Sequence, residues 1–102
     1  MKKVFISQPM RERSAQEILD ERYEIIRALK EKYGEHVEDI NYFSDFEDVK
    51  GVKNKPLRYL GASISALSEA DVAVFVQGYA EARGCRIEHE AAVAYNVERV
   101  YV

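Results

Sequence analysis

The chain has a single cysteine, Cys85, so no disulfide can close within it and no cysteine-based zinc cluster can be built. No apolar run approaches the length of a membrane span. The run nearest the start, Val4-Phe5-Ile6 behind Lys2 and Lys3, is too short for a signal-peptide core. Neither sign of charge dominates: 15 basic side chains stand against 18 acidic ones, for a formal net charge of −3, and the two signs are mixed along the chain. That argues against a polyanion-binding surface while leaving room for one phosphate group. There is no internal repeat, no low-complexity tract and no linker. The expectation is a cytoplasmic protein whose partners include neither a nucleic-acid polymer nor a membrane. What is present is ordinary globular material, 47% hydrophobic and 32% charged over 102 residues, enough for one domain around one core.

Read in order, the chain alternates strand and helix. Lys3 to Ser7 is a short apolar strand, and Pro9 makes Gln8 to Arg13 a loop, because proline lacks a donor and restricts the residue before it. Ser14-Ala15-Gln16-Glu17 fits a capping box. Ile18, Arg22, Ile25, Ile26, Leu29 and Tyr33 follow at helical spacing, and Gly34 supplies the stop. Val37 to Ile40 reads as a short edge strand. Asn41 to Lys55 reads as a long loop whose aromatics, Tyr42, Phe43 and Phe46, either line a base-sized pocket or cap the core. Pro56 at the first helical position opens a helix to Ala70, with Leu57, Leu60, Ile64 and Leu67 as its apolar stripe. Val72 to Val76 is a five-residue apolar run, as expected of a strand buried on both faces. A loop from Gln77 to Gly84 leads to a helix over Cys85 to Asn96, and Arg99 to Val102 closes the chain as a last strand.

This β-α-β-α-β-α-β pattern predicts a single three-layer α/β domain with a four-stranded parallel sheet. In the order 2-1-3-4, the loops after Ser7 and Val76 face each other across the switch-point crevice where open sheets bind ligands. The first loop brings Gln8, Met10, Arg11, Arg13 and the start of the Ser14 helix. The second brings Tyr79, Arg83 and Glu88. A helix N-terminus favours an ionised carboxylate, so Glu88 reads as a nucleophile or base kept charged by its position.

Three stretches carry a resemblance. Val4-Phe5-Ile6-Ser7-Gln8-Pro9-Met10-Arg11, Ser68 to Phe75, and Gly84-Cys85-Arg86-Ile87-Glu88 with Ala92 and Ala94 together resemble the nucleoside 2-deoxyribosyltransferase superfamily, which includes deoxynucleoside monophosphate N-glycosidases. The resemblance implies a flavodoxin-like or deoxyribosyltransferase-like sheet and a nucleoside or nucleotide substrate. It implies that Glu88 attacks the anomeric carbon and displaces the base, and that a second base or water resolves the glycosyl-enzyme. Ser7, Gln8, Pro9, Met10, Arg11 and Arg13, with Tyr79, Arg83 and Gly84, would then bind the substrate. No cofactor and no metal is called for. Relatives of this type build their sites at subunit interfaces, so a homodimer or higher homo-oligomer is expected, with the last two helices at the contact. The sequence departs from the family at two points. A carboxylate usual on the preceding helix falls on Ser63, and an aspartate usual six residues before the nucleophile falls on Ala82. The acid that assists the leaving base would have to come from Glu81, Asp71 or a neighbouring subunit. The alternative to an enzyme is a non-catalytic nucleotide-binding module on the same fold.

Several residues have plainer readings. Asp71 precedes its strand, at the end away from the crevice, and reads as a turn or cap. Arg11 and Arg13 either solvate a loop or, before a capped helix, bind phosphate. Cys85 beside Gly84 reads as packing. His89 is one residue from Glu88, about a hundred degrees round the helix, and reads as surface or interface.

Overall fold

The two central strands carry the apolar runs of the chain, and each is followed by a helix that packs back on the sheet. The computed structural model describes residues 1–41 and 50–102. Its elements are β1 (Lys2–Ser7), α1 (Ala15–Tyr33), β2 (Val37–Asp39), α2 (Lys55–Leu67), β3 (Val72–Phe75), α3 (Arg83–Ala94) and β4 (Glu98–Tyr101). The sheet has the order β2-β1-β3-β4 and every pairing is parallel. Tyr42, Phe43 and Phe46 lie outside the described residues.

Side-chain alternation along the central strands separates two cores. Val4, Ile6, Val72, Val74 and Val76 point to one face and pack with Ile25 and Leu29 of α1. Phe5, Ala73 and Phe75 point to the other and pack with Leu67 of α2 and Ala92 of α3. One helix on one face and two on the other make three layers.

Local chemistry sets the element ends. The Ser14 hydroxyl accepts from the Glu17 N–H at 3.1 Å and the Glu17 carboxylate accepts from the Ser14 N–H at 3.4 Å, completing the capping box. Gly34, at φ +94°, stops α1 as expected. Helix α2 begins one residue before Pro56, because the Asn54 side chain accepts from the Leu57 N–H at 3.0 Å and acts as its cap. It also ends at Leu67 rather than Ala70. The Ser68 hydroxyl donates to the Ser65 carbonyl at 2.5 Å, and the Glu69 and Ala70 N–H groups turn back onto Ala66 and Leu67. Helix α3 begins at Arg83, so Gly84 lies in its first turn and not in the loop. Asn96, left-handed at φ +58°, follows its end.

At the N-terminal end of the sheet, Asp71 prolongs the β1–β3 ladder. Its N–H donates to the Lys3 carbonyl at 2.8 Å and its carboxylate accepts from the Lys3 N–H at 2.7 Å. That role holds it at the end opposite the crevice.

Candidate functional site

The site lies where β1 and β3 end. Ser7 is the last residue of β1 and pairs with Phe75, the last of β3. Its side chain therefore points to the same face as Phe5, toward α3. There the Ser7 hydroxyl donates to Glu88 Oε1 at 2.6 Å, and both residues are buried, Glu88 being 8% exposed. Glu88 is the sixth residue of α3, one turn beyond the reach of the free N–H groups of the helix start. Position in the helix therefore does not hold its charge. Burial pushes its carboxyl above the ordinary value, while hydrogen bonds from Ser7 and Ser63 and the positive charge of Arg22 pull the other way. The result is a desolvated carboxyl held by the Ser7 hydroxyl of β1, with Ser63 of α2 on its other side as a weaker influence. One turn earlier, burial pushes the Cys85 thiol up to about 11, so it stays protonated at neutral pH.

The two expected loops do converge. The Val76 N–H donates to the Ser7 carbonyl at 3.1 Å, joining them at their roots. Gly78, at φ +95°, passes so close to the first loop that a Cβ there would lie 3.5 Å from Pro9 Cγ. Glycine is favoured at that position by its backbone angle, since a Cβ at that distance would make only an ordinary contact. Of the other residues expected at the site, Met10 (46% exposed), Arg11 and Arg83 are on the surface and Tyr79 is half-buried.

Beneath the first loop lies a buried polar network that the sequence reading did not assign to the site. Arg22, 2% exposed on the inner face of α1, is its centre. Its Nε donates to Asp39 Oδ2 at 2.6 Å, its Nη1 to Gln8 Oε1 at 2.6 Å, and its Nη2 to Asn41 Oδ1 at 2.6 Å and to the Asn41 carbonyl at 3.1 Å. The Asn41 side chain in turn accepts from the Ile6 N–H at 2.8 Å and donates to the Ile6 carbonyl at 2.7 Å. Gln8 is thus a fixed post, not a free ligand group. Its amide nitrogen donates to the Ile18 carbonyl and to Glu21, each at 3.0 Å. Arg13 donates to Glu21 at 2.9 Å and to the Pro9 carbonyl at 3.0 Å. Burial pushes the Glu21 carboxyl up, but the bonds from Arg13 and Gln8 outweigh it and bring the group below its ordinary value. The network ties both ends of the Gln8–Ser14 loop to α1 and braces β1 immediately before Ser7.

An aromatic grouping forms around Phe75, the register partner of Ser7. The rings of Tyr79, His89 and Tyr101 gather over Phe75, with His89 edge-on to Phe75 at 4.8 Å. His89 Nε2 and Tyr101 Oη are 2.8 Å apart. His89 is therefore half-buried and partnered within the chain, where its helical position alone had suggested surface or interface.

Elsewhere, a groove of about 420 Å³ runs between α1 and β2, lined by Leu19, Tyr23, Ile26 and Asp39 among others. Among the described residues, no group of three or more His, Cys, Asp or Glu is placed to hold a metal ion, and no helix is long and apolar enough to cross a membrane. Comparison of the chain with protein-family models, with curated proteins and with solved structures finds no match.

Proposed function

We propose that this protein acts at the N-glycosidic bond of a nucleoside or nucleoside 5′-monophosphate, with Glu88 as the nucleophile, on a flavodoxin-like or deoxyribosyltransferase-like sheet. The observation that carries the reading is the buried Glu88 carboxyl, held 2.6 Å from the Ser7 hydroxyl at the C-terminal edge of a parallel sheet, beneath two converging loops. Such bonds break through an oxocarbenium-like state, which a carboxylate next to the anomeric carbon stabilises and then traps covalently. Burial removes the water that would otherwise screen that interaction, and the Ser7 hydroxyl fixes one carboxyl oxygen in place. Water or a second base would release the glycosyl group. In the first loop, Arg11 is exposed, and the free N–H groups of the Ser14-capped helix start nearby, so a 5′-phosphate has donors to meet.

The test is incubation with a panel of nucleosides and nucleoside monophosphates, followed by chromatography for free base. Release by the natural sequence and none by Glu88→Ala supports the reading. Unchanged turnover in Glu88→Ala on any confirmed substrate overturns the role of Glu88.

A second reading, a nucleotide-binding module without turnover, is favoured by a specific observation. Ser63 and Ala82 carry no carboxyl group, and Asp71 is committed to Lys3 at the far end of the sheet. In that case nucleotides bind and no base is released. For assembly we infer a homodimer or higher oligomer through α2 and α3, where Leu57, Val93 and Tyr95 are 60%, 47% and 83% exposed.

A further inference from the structure

Three aromatic side chains from three separate elements meet around Phe75: Tyr79 from the loop after β3, His89 from α3 and Tyr101 from the end of β4. Their ring centroids lie 4.6 Å (Tyr79–His89), 5.7 Å (Tyr79–Tyr101) and 5.6 Å (His89–Tyr101) apart. Beneath them Phe75 is fully buried, whereas Tyr101 is 53% exposed, so the cluster runs from a closed floor to an open rim. Ser7, Phe75 and Tyr101 are register partners across β1, β3 and β4. Neighbouring strands lie about 4.8 Å apart, so the backbone of Phe75 stands one strand from Ser7 and that of Tyr101 two, on the side where the rings gather.

We propose that Tyr79, His89 and Tyr101 form a subsite for a planar nitrogen heteroaromatic ring, the base that Glu88 would displace. The inference rests on the N-glycosidic reading for the identity of the ligand, and on the cluster itself for the place. A planar ring is the ligand such a surface suits. The rings pack against one another at mutual tilts of 40°, 39° and 58°, and the half-exposed Tyr101 ring offers a face for stacking at the rim rather than the walled cage that encloses an alkylammonium group. The 2.8 Å contact between His89 Nε2 and Tyr101 Oη fixes the rotamers of both rings before anything binds, so little side-chain freedom is lost when a ligand stacks on them. The same pair sets polar atoms at the rim, within reach of the edge of a stacked base. An aromatic group serving only as a lid on the core would bury its outermost ring, and here the outermost ring is half open to solvent.

The experiment titrates the protein separately with adenine, with thymine and with ribose 5-phosphate, following the ring protons of Tyr79, His89 and Tyr101 by NMR. A stacked base shifts those resonances upfield through its ring current, and ribose 5-phosphate does not. Stacking of one base on an aromatic side chain is worth about 1–3 kcal/mol, so Tyr101→Ala is expected to weaken base binding roughly ten-fold or more and leave ribose 5-phosphate affinity unchanged. Tyr101→Phe keeps the ring and loses only the bond to His89, so it should retain most of the base affinity. If Tyr101→Ala does not fold, the shifts in the unaltered protein decide the matter alone. Nucleotides bound or cleaved with no ring-proton shift, or with base affinity unchanged in Tyr101→Ala and in Tyr79→Ala, would overturn the subsite and leave the proposed function standing. No binding of any base, nucleoside or nucleotide would overturn both.

Discussion

Replacing Arg22 with methionine removes a buried guanidinium and keeps most of its stem. Four acceptors lose a donor: Asp39 Oδ2, Gln8 Oε1, Asn41 Oδ1 and the Asn41 carbonyl. Asp39 is the costly one, because its Oδ1 is already buried without a partner among the described residues and the variant takes the donor from its other oxygen. Removing one member of a buried ion pair costs about 3–5 kcal/mol. The Asp39 side chain keeps 19% of its surface exposed, so some water reaches it and the lower end, about 3 kcal/mol, is expected. For a domain whose total stability is about 5–15 kcal/mol that is a large fraction, and it corresponds to a fall in Tm of about 12 °C or more. Urea denaturation followed by circular dichroism measures it as a shift in midpoint at constant slope. The double variant Arg22→Met/Asp39→Leu removes both charges and should regain at least half of the loss. A single variant within about 1 kcal/mol of the natural sequence, or a double variant no better than the single, would refute the claim that this ion pair organises the loop.

Glu88 makes stability depend on pH. Its carboxyl is raised by burial above the ordinary 4.5, so the folded state keeps this proton to higher pH than the unfolded chain does. The stability it contributes is complete below the unfolded value and is lost as pH rises through the folded one. Glu88→Gln should therefore match the natural protein near pH 4 and exceed it increasingly toward pH 7, as denaturation midpoints across that range will show; an equal gap at every pH would contradict the raised value. Ser7→Ala removes a bond that pulls the Glu88 carboxyl down, so the acid limb of any pH–rate profile should move to higher pH. Cys85, buried and with its thiol pushed up to about 11, should react with a thiol reagent at pH 7.5 only after denaturant is added. Sedimentation at micromolar concentration should give a mass above the 11.7 kDa of one chain, and a clean monomer would remove the α2–α3 contact.

The sheet order and the helices were legible because their signals are local. The capping box at Ser14, the apolar stripe of α1 and the run Val72 to Val76 each need only a few adjacent residues to be read. The buried network was legible in part. Arg22 falls on the apolar stripe between Ile18 and Ile25, and a cation on a buried face signals a partner nearby. Naming that partner required the tertiary fold, since Asp39 is 17 residues away and Asn41 is 19. Ser63 lies three residues after Leu60 and four before Leu67, on the buried stripe of α2, which puts it toward α3 and Glu88. The charge of Glu88 was misread for a local reason. The helix begins at Arg83, and the two extra residues move the carboxyl out of the field of the helix end into a site governed by burial. His89 looked peripheral because its partner Tyr101 arrives from the last strand, which no helical spacing can report.

Asn41 ends β2 in an economical way. A strand that stops beside β1 would ordinarily strand the peptide groups opposite it, yet here one side-chain amide presents a donor and an acceptor to Ile6 as a further strand residue would. The backbone of residue 41 is thereby released from the ladder, and its carbonyl accepts from Arg22 instead. The sheet edge at Ile6 is sealed by a side chain, so the brace on β1 immediately before Ser7 rests on one amide group. Asn41→Leu would take the partner from both Ile6 peptide groups and from the Arg22 guanidinium at once.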